Sequence, residues 1–134
     1  MSSFVTDTHA ILWYLSENPE LSDTAREVFE STDTGQAEIF VPSIVLAEIV
    51  YLTERHKVPA NLIDRIANLP EVEGSHYHAV VLDTQVIQAM RRIPRETVRE
   101  MPDRIIAATA LYLGLPLITR DSQITQLGEI QCIW

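Results

Sequence analysis

The stretch Phe4–Leu15, FVTDTHAILWYL, sets a lone carboxylate between a short β-prone run and an apolar helical run. Aspartate is a favoured N-cap, and the oxygen of Asp7 can satisfy the free N–H groups of a helix beginning at Thr8. The same order of strand, acid and helix is how a parallel α/β sheet presents a working group, because sites in such sheets lie at the carboxyl ends of the strands. The rest of the chain has to decide between a cap alone and a cap that also works.

Outward from this stretch, β-like runs recur at 38–41 (EIFV), 79–82 (AVVL), 115–119 (LPLIT) and 130–134 (IQCIW), with 3–6 (SFVT) as the first. Helical patterns lie between them. LSDTAREVFEST has Ser22 as a cap, with Ala25, Val28 and Phe29 at helical spacing; PSIVLAEIVYLTER has Pro42 in its first turn. PANLIDRIANL, DTQVIQAM and PDRIIAATALYLGLP follow, the last closed by Gly114 and Pro116. Strands that are continuously apolar and alternate with helices predict an α/β fold with a mostly parallel sheet of four to five strands. No repeat, low-complexity segment or linker interrupts the pattern, so residues 1–134 read as one domain. Asp7, Asp83 and Asp121 each follow a strand.

Composition narrows the function. The chain has 134 residues, 46% of them hydrophobic and 22% charged, which suits a folded domain. Cys132 is the only cysteine, so no internal disulfide can form. No secretory leader pattern and no apolar run of roughly 18 residues is present, which predicts a cytoplasmic protein without a membrane span. Net charge is −9 and uneven: residues 1–74 carry 13 acidic side chains against four basic ones, whereas residues 75–134 carry six of each. Such a chain does not bind polyanions indiscriminately, so any grip on nucleic acid must be local. Arg91, Arg92, Arg95 and Arg99 are the candidate contact group; a solvated helix face accounts for them equally well.

Glu48 is the acid that capping does not explain. It lies mid-helix, with Ile44, Val45, Tyr51 and Leu52 three and four positions away, which predicts a place on the face packed against the sheet. An ionised carboxylate there must be paired, reach solvent along its own stem, or meet a metal. Asp103 can cap its helix or sit in the first turn where the helix dipole favours an acid, and Asp121 can cap SQITQL. Taken with Glu48 they suggest one acidic cluster, which needs a counter-charge such as Mg²⁺ or Mn²⁺, hard ions that take oxygen ligands. Sites of that kind activate water and steady charge on a phosphoryl group. His9, His56, His76 and His78 have no cysteine or HExxH context, so zinc is not indicated, and His76 and His78 read as surface residues before a strand.

Four blocks, VTDTHAILWYL, PSIVLAEIVYL, MPDRIIAATALYLGLPLITRD and the closing IQCIW, together resemble the PIN domain, specifically the VapC-type toxin ribonucleases. The resemblance runs over essentially the whole chain. It implies a three-layer α/β/α fold and an Mg²⁺- or Mn²⁺-dependent endoribonuclease with Asp7, Glu48, Asp103 and Asp121 as its metal-binding acids. In that reading Asp7 and Asp103 hold the ion directly, Asp121 completes the set, Glu48 orients the attacking water, and Thr119 supports Asp121. It further implies an RNA substrate, an antitoxin partner and a homodimer, with Arg91, Arg92, Arg95 and Arg99 bordering the pocket. The loop Glu100-Met101-Pro102 departs from the Asp-Pro-Phe that often precedes the Asp-Arg pair in such proteins, which leaves Glu100 as an auxiliary acid or a solvated one. Two other readings are a catalytically silent PIN-like binding module and a receiver-like signalling domain. The latter lacks its lysine near the last strands, since Lys57 is the only lysine.

Overall fold

The computed structural model describes residues 1–134. Five strands, β1 (Ser2–Thr6), β2 (Ala37–Pro42), β3 (Tyr77–Val80), β4 (Leu117–Ile118) and β5 (Cys132–Ile133), form one sheet in the order β3-β2-β1-β4-β5. Every pairing is parallel. Helices α1 (Thr8–Leu15), α2 (Asp23–Asp33), α3 (Ser43–Glu54), α4 (Asn61–Asn68), α5 (Thr84–Met90), α6 (Met101–Leu113) and α7 (Ser122–Thr125) flank it, giving the three-layer arrangement expected from the resemblance. Val5, Ile39, Val41, Leu117 and Ile118 of the sheet are buried against Ile11, Phe29, Val45, Ile49 and Ile106 of the helices. Each such side chain contributes roughly 1.5–3 kcal/mol by leaving water.

The capping chemistry read from sequence is largely in place. Ser22 accepts from the Ala25 N–H at 3.1 Å, and Asp83, expected only to follow a strand, also caps, accepting from Val86 at 3.0 Å. Gly114 ends α6 at φ 67°, a left-handed conformation that glycine adopts without steric penalty. Pro42 differs: it is the last residue of β2 and precedes α3 as its N-cap, rather than standing in the first turn. The third strand is also displaced, running 77–80 instead of 79–82. Its partner β2 ends at Pro42, which lies opposite Val80, so Val81 and Leu82 have no strand to pair with and are exposed. His78 is consequently inside the strand, where it meets Glu38 at 3.1 Å and packs on Phe40.

The sheet order places the reversal between β1 and β4. From β1 the chain builds outward through β2 to β3, then returns to the other side of β1 for β4 and β5. In open α/β sheets the crevice at that reversal is where ligands bind. Val5 lies opposite Leu117 and Thr6 opposite Ile118, so the segments that follow, starting at Asp7 and Thr119, leave the sheet side by side.

Candidate active site

At the carboxyl ends of β1 and β4 a pocket of about 370 Å³ is lined by Asp7, Glu48, Asp103 and Asp121. These are the four acids singled out from the sequence. Asp7 comes from the end of β1, Asp121 from the end of β4, Glu48 from the middle of α3 and Asp103 from the first turn of α6. Asp83, also at a strand end, only caps α5: its strand is at the sheet edge, two positions from β1.

Capping and pocket are not alternatives here. Asp7 Oδ1 accepts the Ala10 N–H at 2.9 Å, and Asp121 Oδ1 accepts Gln123 and Ile124 at 2.8 and 3.0 Å. In each carboxylate Oδ2 is left free of the cap. Thr119 is fully buried between them; its hydroxyl accepts the Asp121 N–H at 3.1 Å and is placed to donate to Asp7. Asp103 does not cap α6, whose N-cap is Glu100 without a side-chain bond, so it is the first-turn acid of the two possibilities. Glu48 departs from expectation: the buried residues of α3 are Val45 and Ile49, while Tyr51 is exposed, so Glu48 is half-buried at the pocket edge. The Thr8 hydroxyl donates to its Oε1 at 2.5 Å.

The charges act on one another. Burial is the main cause raising the Asp7 carboxyl above its usual range, with Asp121 adding to it, against hydrogen bonds from Thr119 and Ala10 and the nearby His9. Asp103 is pushed up to about 6, first by burial and then by Asp121, Glu48, Asp7 and Glu100. Glu100 is itself exposed and outside the lining. Mutual repulsion of this kind signals a site awaiting positive charge. The donors are all hard oxygens, which suit Mg²⁺ or Mn²⁺. No three acidic, histidine or cysteine side chains converge into a ready-made cage.

Five further residues line the pocket that sequence reasoning did not assign to it: Thr8, His9, Trp13, Arg120 and Trp134. Thr8, His9 and Trp13 were open to inference, being near Asp7 on α1, and Arg120 adjoins Asp121. Trp134 had no local signal; it arrives because Ile133 pairs with Ile118 across β4 and β5. Conversely, Arg91, Arg92, Arg95 and Arg99 do not line the pocket. Arg91 contacts Gln88, Arg92 pairs with Glu129 at 3.3 Å, and Arg95 and Arg99 are exposed. The Arg99 N–H donates to Gln123 of α7 at 3.2 Å, and Arg104 braces the turn after α5, its Nη2 donating to the carbonyls of Met90 and Ile93.

The PIN domain family model matches residues 4–130. This chain belongs to the PIN domain family. The match leaves no place for the receiver-like alternative. This PIN domain is 25% identical over 124 residues to Ribonuclease VapC22 of Mycobacterium tuberculosis, covering 92% of this chain and 91% of that protein. Its fold is similar to that of VapBC2 from Rickettsia felis bound to a DNA fragment from their promoter, with a TM-score of 0.68, 16% identity, and coverage of 97% and 96%. It is likewise similar to DNA-bound VapBC from Salmonella typhimurium, with a TM-score of 0.65, 24% identity, and coverage of 98% and 97%.

Proposed function

We propose that residues 1–134 act as one Mg²⁺- or Mn²⁺-dependent endoribonuclease, the toxin of a toxin–antitoxin pair. The observation that carries this reading is the convergence of Asp7, Glu48, Asp103 and Asp121 on one pocket at the sheet reversal. Four carboxylates with a raised Asp103 are costly to maintain without a cationic ligand. Similarity to a VapC ribonuclease supports RNA as the substrate, and similarity to VapBC assemblies supports an antitoxin partner.

In this reading Asp7 and Asp103 hold the ion, with Asp121 completing its surroundings. Bound there, the ion supplies positive charge at the scissile phosphate and eases deprotonation of water. Glu48, fixed by the Thr8 hydroxyl, accepts a hydrogen bond from the attacking water and so orients it. Thr119 positions Asp7 and Asp121 relative to each other through its single hydroxyl. Arg91, Arg92, Arg95 and Arg99 serve as outlying contacts to phosphates away from the cut. Val50 and Tyr51 on α3 and Ile87 on α5 leave apolar side chains exposed, which a second copy would cover in the homodimer. The chain works in the cytoplasm; no helix is long and apolar enough to cross a membrane.

The deciding experiment incubates purified protein with total RNA in Mg²⁺, in Mn²⁺ and in EDTA. Cleavage in either metal and none in EDTA is expected. Cleavage in EDTA as well would remove the metal dependence, and no cleavage under any condition would leave the silent binding module as the better reading.

A further inference from the structure

Beside the four acids, the same pocket has a wall of a different character. Trp13 and Trp134 meet edge to face with ring centroids 6.0 Å apart, and His9 lies 5.3 Å from Trp13. The Arg120 guanidinium lies over Trp13, 4.5 Å from the ring centroid and 5.9 Å from that of Trp134. Its Nη1 donates to Glu20 at 2.8 Å. These are the only two tryptophans of the chain, and neither is buried. Both rings pack against the core on one side and line the pocket with what remains exposed, an amphipathic placement that suits contact with a ligand.

We propose that Trp13, Trp134 and Arg120 form a base-stacking subsite that takes an unpaired nucleobase next to the scissile phosphate. The inference rests on the ribonuclease reading above and deepens it, by naming the side chains that take a base beside the cut. Indole rings and guanidinium planes both stack nucleobases, and such stacking tolerates any base because every base has a π-face. A base inside a duplex is already stacked on its neighbours and cannot reach this wall without leaving them. Position completes the argument. The wall adjoins the four carboxylates in one pocket, so a nucleotide whose scissile phosphate lies at the acids brings a neighbouring base to the wall. Arg120 is the only arginine or lysine in the lining and adds a positive charge there.

Because both tryptophans lie at the pocket, intrinsic fluorescence reports on it alone. The full chain carrying Asp7→Asn, used to prevent cleavage, is titrated with a short single-stranded oligoribonucleotide, the matching duplex, and an abasic backbone of the same length. The single strand is expected to quench the tryptophan emission, and the other two are not. Adding Trp134→Leu should weaken single-strand binding roughly tenfold or more, and Trp134→Phe should restore most of it. Mn²⁺ affinity of the otherwise unaltered chain should be the same with Trp, Leu or Phe at 134. Single-strand binding without quenching, or equal affinity with leucine at 134, would remove the subsite while metal-dependent cleavage by the parent kept the nuclease reading. A parent that cleaves no RNA in Mg²⁺ or Mn²⁺ would take both away.

Discussion

Asp7 and Asp121 leave the ends of adjacent parallel strands, and each turns Oδ1 back to cap the helix that follows it. The two caps fix both carboxylates so that their remaining oxygens belong to one pocket. A cap is therefore how this fold aims an acid, not a competitor to its chemical use.

That geometry separates two substitutions at position 7. Asparagine retains a capping oxygen but loses the charge, whereas alanine loses both. Asp7→Asn should abolish cleavage with little change in thermal stability, and Asp7→Ala should abolish cleavage and also cost about 1 kcal/mol. Thermal unfolding in EDTA with a parallel RNA assay checks both. Cleavage by the asparagine variant would remove Asp7 from the metal site.

Thr119 joins the pair, and it is buried with no exposure. Thr119→Val keeps the shape but leaves the Asp121 N–H without its acceptor, at a cost of about 1–3 kcal/mol. Thr119→Ser keeps the hydroxyl and should retain most of the activity. Equal melting temperatures and equal cleavage for the valine and serine variants would show that the hydroxyl positions nothing.

The raised carboxyl of Asp103 sets a pH dependence for the metal-free protein. Its folded value of about 6 is above the ordinary 3.8, so the folded state binds the proton more readily than the unfolded chain. The penalty is fully present above pH 6 and disappears as pH falls from about 6 toward 4. Asp7, also raised, acts in the same direction. In EDTA the melting temperature should therefore rise on acidification from pH 7 to pH 5, and Asp103→Asn should flatten that rise. The same slope in parent and variant would assign the effect elsewhere.

Glu48 gives a complementary test. Glutamine keeps an acceptor for the Thr8 hydroxyl and removes one of the charges that raise Asp103. Glu48→Gln should melt higher than the parent in EDTA and gain less from added Mg²⁺, since a ligand stabilises in proportion to its preference for the folded state. A lower melting temperature in EDTA would mean that the charge on Glu48 is itself stabilising.

Arg91 and Arg92 lie outside the pocket lining, so in the proposed reading their part in RNA binding is electrostatic. Replacing both with alanine should weaken RNA binding and lower its dependence on salt, while Mn²⁺ affinity is unchanged. Fluorescence anisotropy across a salt series measures the slope; an unaltered slope would place both on a solvated face.

The local sequence was enough to determine the α/β alternation, the caps at Asp7, Ser22 and Asp121, and the oddity of an acid at position 48. Those features depend on spacings of a few residues, where backbone geometry leaves few choices. Family resemblance then carried the four acids as a set, across more than a hundred positions that spacing alone could not bridge. What only the tertiary structure decided is which of the strand-end acids share a site. Asp83 and Asp121 are alike in sequence, each a cap after a short strand, yet strand order puts one at the sheet edge and the other beside Asp7. Trp134 and Arg120 became pocket residues by the same means, through the register of β5 on β4 and the stacking of side chains from distant segments. Register and strand order depend on how all five strands bury their apolar faces together, a condition that no single segment carries.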